Sequence, residues 1–215
     1  MSAPPTNPAA TGRQQRAWVP AAAALVWLGL WYFTPGLLSN GVGSRLAEAV
    51  TVSVLDTFDV GVLIECAVAT ALVAVLLLTH RRYNRVLFAR SRLMRLYALP
   101  AVLAIALPFH YSLESHVGVY VLWWTVSVFW QDYLTFGLLQ SYLRERLPAW
   151  TTITGVAVMF WLGHAVFLPD RFGPTNLGPS LAMLALGALF AVLRAKLGTL
   201  HLLLALHLSF YLLLA

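Results

Sequence analysis

The sequence predicts an all-α polytopic membrane protein, a bundle of about seven transmembrane helices with a polar site between the last four. Three observations predict it. Sixty per cent of the 215 residues are hydrophobic and 10% charged, with a mean hydropathy of +0.77, which leaves too few polar side chains to cover a soluble domain of this length. Apolar runs recur along the chain, each approaching or exceeding the roughly 20 residues that cross ~30 Å of hydrocarbon. The 14 Lys and Arg residues sit in the gaps between those runs. That distribution ties the net charge of +6 to a membrane surface and argues against nucleic acid as a partner.

In chain order, residues 1–16 carry three prolines and two arginines with nothing to bury, and read as a disordered cytoplasmic tail ahead of a single transmembrane domain, 17–215. Ala17–Leu38 is too long, and lacks the cleavage site, for a signal peptide, so it reads as the first span. Ser44–Thr57, with Arg45, Glu48 and Asp56, reads as an interfacial helix or loop. A second span follows over Val60–Thr79. The block of His80, Arg81, Arg82, Arg85, Arg90, Arg92 and Arg95 reads as a lipid-facing loop.

The third span, Leu96–His110, contains Pro100 and Pro108, which packed neighbours tolerate inside membranes. The fourth is Val117–Leu143, the fifth Trp150–Leu168, the sixth Leu177–Leu193 and the seventh Thr199–Ala215. With the N-terminus inside and the C-terminus outside, only Arg45 and Arg171 among the basic residues fall outside, which is the arrangement the positive-inside rule favours. A chain rich in Trp, Arg, Ala, Leu and Val suits a bacterial inner membrane. Cys66 is the single cysteine, so no intrachain disulfide can form.

Asp132 stands near the middle of the fourth run. A carboxylate there costs at least ~2.5 kcal/mol, so it needs a partner or a function. Helix rise places it ~18 Å from Arg144, His207 ~16 Å from Lys196 and His164 ~24 Å from Pro148, so the three can share one layer. Glu65, ~22 Å from His80 by the same rise, is either a fourth member or a group that supports the site from behind. His201 lies about one turn from Lys196 and is expected at the cytoplasmic interface, outside the site. For His110, Glu114 and His116 the expected role is structural.

A carboxylate and a histidine that hold a water can direct it at a peptide carbonyl while a second polar pair stabilises the oxyanion. The residues are compatible with other chemistries. Acids and histidines at the midplane also suit a transporter, although no repeated half is visible. Histidines on two helices suit bis-histidine haem, and a His, His, Asp set suits zinc, although its usual local spacing is absent.

With Gln131 to Gly137, Phe160 to His164 and His207 to Tyr211 in that order, residues 117–215 resemble the CAAX-protease and bacteriocin-processing (CPBP, Abi, type II CAAX endopeptidase-like) family of intramembrane proteases. The family's E-E-x-x-x-R, usually followed by Gly, aligns with Gln131, Asp132, Tyr133, Leu134, Thr135, Phe136 and Gly137. Its F-x-x-x-H is matched by Phe160 to His164. Its H-x-x-x-N stands at His207 to Tyr211, after a Gly198, Thr199, Leu200 turn.

The resemblance implies that His164 is the water partner and that His207, with Tyr211 in the place of Asn, forms the oxyanion hole, with Gln131 and Phe160 in supporting positions. Gln131 stands where the family has its principal Glu, and Phe136 where it has Arg. The expectation is therefore an intramembrane protease in which Asp132 takes over as general base through a rotated helix. It would act on a membrane-bound peptide or a C-terminal sorting tail and use no cofactor, a divalent metal staying open. The alternative is a catalytically inactive family member serving as a membrane scaffold or binding protein.

Overall fold

The structure, a computed structural model, describes residues 8–36, 42–49, 55–113 and 115–214. Residues 1–7 of the expected tail, the end of the first expected span at Leu38, residues 50–54 of the expected interfacial segment and Glu114 lie outside them. Among the described residues there is no strand, and the elements are helices throughout: α1 (Pro8–Trp31), α2 (Val42–Ala47), α3 (Thr57–Thr79), α4 (Arg81–Leu87), a 3-10 turn (Arg92–Tyr97), α5 (Ala98–His110), α6 (Val117–Asp132), a π-helical segment (Tyr133–Leu139), α7 (Gln140–Arg144), α8 (Ala149–Phe167), α9 (Pro169–Phe172), α10 (Leu177–Leu197) and α11 (His201–Leu213).

Four helical stretches are long and apolar enough to cross a membrane: Thr57–Thr79, Arg92–His110, Ala149–Phe167 and Leu177–Leu197. This is fewer than the seven expected, for identifiable reasons. The apolar parts of α1 and α11, Trp18–Trp31 and His201–Leu213, are shorter, and at 1.5 Å per residue they reach about 20 Å. The run from Val117 to Arg144 changes from α to π and back within its length.

Helix α1 begins at Pro8 instead of Ala17, so the expected tail is helical from Pro8 onward. Ala9, Ala10, Gln14 and Gln15 are strong helix formers and proline is accepted at a first helical position, so the backbone favours extension. Helix α10 likewise runs past Leu193 to Leu197 and stops at Gly198, whose φ of 75° closes the helix in the left-handed region.

The core is built around the α6, π and α7 run, where Trp130, Tyr133, Phe136 and Leu139 are buried. Trp27 Nε1 of α1 donates to Thr135 Oγ1 at 3.1 Å, and Trp31 lies over Gly163 of α8 so closely that a Cβ there would come within 2.6 Å of the indole. Tyr133 donates to Asn84 Oδ1 (2.8 Å), tying the π segment to α4, and Leu200 N donates to Leu87 O (3.0 Å), docking α4 against the start of α11. His201 does not reach an interface. It is buried, with Tyr97 Oη 3.2 Å from Nδ1 and Ala89 O 3.0 Å from Nε2, and so ties α11 to the loop before α5. Outward-facing positions are apolar, as Val102, Ile105 and Phe109 of α5 show, which suits a lipid surround.

Candidate active site

Asp132 is the last residue before the π segment, a kind of helix irregularity often found at functional sites. Its carboxylate is 0% exposed, and His207 Nδ1 of α11 lies 2.9 Å from Oδ1, with His207 itself 3% exposed. Oδ2 is buried without a partner among the described residues. The carboxylate acts as acceptor, so Nδ1 of His207 carries the proton and Nε2 is the ring atom left for other work. The rings of Phe190 (5.5 Å), Phe160 (6.1 Å) and Tyr211 (5.3 Å) pack around the imidazole. In such an apolar wrapping a lone carboxylate is costly, and the histidine is its compensation.

His164, 2% exposed, is oriented differently. Its Nδ1 donates to the carbonyl of Phe160, one turn earlier on α8, at 2.8 Å. Within F-x-x-x-H the backbone oxygen of the first residue thus sets the tautomer of the last, and Nε2 keeps its lone pair. Trp31 (5.5 Å), Phe160 (4.7 Å) and Phe172 (5.4 Å) surround that ring.

Both histidines line one cavity of about 690 Å³, with Gln131 and Tyr211, a size that suits a small-molecule or peptide site. Its walls come from α6 (Trp123, Trp124), α8, α9 (Arg171, Phe172), α10 and α11, and also from Pro35 and Gly36 after α1. The expected location between the last four spans is therefore too narrow, since the segment after α1 closes one side. Gly36 has a φ of 78°, and a Cβ there would lie 2.2 Å from Trp123. Pro35 O accepts from Trp123 Nε1 (2.9 Å) and Ser127 Oγ (2.8 Å), and Gly36 N donates to Glu65 Oε2 (2.8 Å). Glu65 is thus an anchor of the cavity wall and is not itself on the lining.

Asp132 is not on the lining either. Gln131 faces the cavity and Asp132, the next residue, turns to α11, as the ~100° step between helix neighbours requires. The expected rotation that would bring Asp132 to the water position does not occur. Gln131 is 2% exposed and its Oε1 has no partner among the described residues. Phe136, in the place of the family's arginine, is fully buried against Phe160 (5.1 Å) and Phe190 (5.6 Å). Tyr211 stacks on Trp124 with ring centroids 3.8 Å apart.

Several lining residues escaped the sequence reading. Arg171 reads from sequence as a loop cation, and Trp123, Trp124 and Phe172 as bulk apolar residues. Pro179, Ala182, Met183 and Leu186 form a stripe at three- and four-residue spacing on α10, a signal that was present but indistinguishable from ordinary packing. No group of three His, Cys, Asp or Glu side chains placed to hold a metal ion is found among the described residues. No family model, no curated protein and no solved structure matches this chain.

Proposed function

We propose that this chain is an intramembrane endopeptidase that hydrolyses a peptide bond in a membrane-associated peptide or a C-terminal sorting tail. The observation that carries the reading is the shared cavity of His164, His207, Gln131 and Tyr211, with Asp132 hydrogen-bonded behind His207. Both imidazoles have Nδ1 committed and Nε2 available, which is the arrangement an acid–base pair needs.

In this mechanism His164 Nε2 accepts a proton from a water as its oxygen attacks the carbonyl carbon. The oxyanion is met by donors from Gln131, from Tyr211 and from His207 in its protonated form, whose charge Asp132 balances. His164 then passes its proton to the leaving nitrogen as the C–N bond breaks. Asp132 is a positioning residue here, acting through His207 as a buried carboxylate orients a catalytic imidazole elsewhere. The bundle has seven spans, counting α1, the Val117–Arg144 run and α11 with the four longer ones, and its N-terminus is cytoplasmic. The basic loop between α3 and α5 and the charged ends of α7 and α10 then face the cytoplasm, in keeping with the positive-inside rule.

The rival reading is a binding scaffold without hydrolysis, favoured by Gln131 and Phe136 at positions where the resembled family is charged. Cleavage of tagged single-span and tailed precursors in cells expressing the parent, His164→Ala, Gln131→Ala and Gln131→Glu separates the two. A protease loses cleavage with His164→Ala and about 10²–10³-fold with Gln131→Ala, while all variants insert normally. A parent that cleaves nothing beside a Gln131→Glu variant that does identifies the scaffold.

A further inference from the structure

The end of α10 remote from the histidines borders a second cavity, of about 360 Å³, whose walls include Arg82, Gln140, Ser141, Arg144, Glu145 and Arg194. Three guanidinium groups and one carboxylate line it. Glu145 is already engaged, by Arg82 at 2.6 Å and Arg146 at 3.4 Å. Among the described residues Arg144 and Arg194 meet no carboxylate. Arg194 donates from Nη2 to Ser141 Oγ (3.3 Å), and its Nε–H has no acceptor.

Gln140 is only 5% exposed; its Nε2 donates to Ala191 O (2.8 Å) while Oε1 accepts nothing. The cavity thus offers unspent cationic donors together with one buried acceptor. That set fits a ligand with anionic oxygens and a neighbouring hydroxyl or ammonium hydrogen. A phosphodiester headgroup has both, and arginine is the side chain best shaped to hold it.

Tyr83 belongs to this wall and also to that of an apolar groove of about 460 Å³, bounded by Ala23 and Leu30 of α1 and by Leu134 and Leu138 of the π segment. An acyl chain suits that groove, whereas a soluble phosphate has no use for it. We propose that this cavity binds the headgroup of an anionic phospholipid, gripped by Arg194 and Arg144 with Gln140 reading the headgroup's hydroxyl. The site does not depend on the hydrolytic reading.

Delipidated protein in uncharged detergent, titrated by native mass spectrometry, tests this. Phosphatidylglycerol is expected to bind more tightly than phosphatidylcholine and to raise the unfolding temperature. Arg144→Gln, on an exposed side chain that the fold does not need, is expected to weaken binding roughly fivefold, and Arg194→Gln by about as much again. Arg90→Gln, in the basic loop between α3 and α5 and off the cavity, is expected to leave it unchanged. Equal losses from Arg144→Gln and Arg90→Gln would overturn the proposal in favour of diffuse attraction to a basic surface. Inorganic phosphate stabilising the protein as much as phosphatidylglycerol would overturn the lipid and assign the site to a soluble anion.

Discussion

His207→Ala removes the only partner, among the described residues, of a carboxylate that is 0% exposed and leaves both its oxygens unbonded there. Breaking a buried pair in this way costs about 3–5 kcal/mol, because the stranded charge cannot be rehydrated. Asp132→Asn is milder. The amide oxygen still accepts from Nδ1, and the loss is the difference between a charge-assisted and a neutral hydrogen bond, about 1 kcal/mol.

The double variant has no stranded charge, so its loss falls well short of the sum. The cavity left by the imidazole appears in both His207→Ala arms and cancels in the cycle. Polar pairs between helices in membranes couple by about 0.6 kcal/mol on average and about 1.7 at most. An ionised Asp132–His207 pair is expected to exceed that upper figure. Reversible unfolding in mixed micelles, titrated with a denaturing detergent, measures all four corners of the cycle. A coupling at or below about 0.6 kcal/mol would refute the reasoning, since Asp132 and His207 would then be an ordinary neutral contact.

Gly163→Val is expected to cost about 1–3 kcal/mol through overpacking against Trp31, seen as a lower unfolding midpoint in the same titration. Phe136→Ala should lose about 3–5 kcal/mol of core packing, whereas Phe136→Arg, restoring the resembled family's charge among Phe160 and Phe190, should fail to accumulate in membranes. Both are read from expression and unfolding. Glu65→Ala frees the Gly36 amide and should lower cleavage while insertion stays normal; Glu65→Gln, which keeps an acceptor oxygen, should recover most of it. His201→Leu breaks the contacts to Tyr97 and Ala89, and is expected to speed hydrogen exchange in the 3-10 turn before α5 without touching the cavity.

Much of the architecture was legible in composition. Continuous apolar runs approaching ~20 residues satisfy their backbone in lipid as helices, and they marked the helix positions because lipid imposes hydrophobicity on every outward face. Asp132, His164 and His207 were legible for a related reason: ionisable groups are so costly at depth that each one present is informative. Shared depth suggested one layer for Asp132, His164 and His207, but not that Asp132 would bond His207 and leave His164 to the Phe160 carbonyl. Depth is set by helix rise along one chain, but the azimuth of a side chain is set by how neighbouring helices pack, and adjacent residues point about 100° apart.

That angle is why Gln131 holds the cavity and Asp132 stands behind His207, an outcome that depends on how the helices pack. The start of α1 at Pro8 was missed for another reason, because helix propensity carries the helix past the apolar run, while the burial of His201 depends on Tyr97, far along the chain. Glu65 stood out in the sequence as a group at depth, but the Pro35 and Gly36 backbone that it anchors did not. The residue types along each run set which groups must be compensated inside the membrane; the packing of α6, α8 and α11 sets which group compensates which, because partners on separate helices meet only once the bundle has closed.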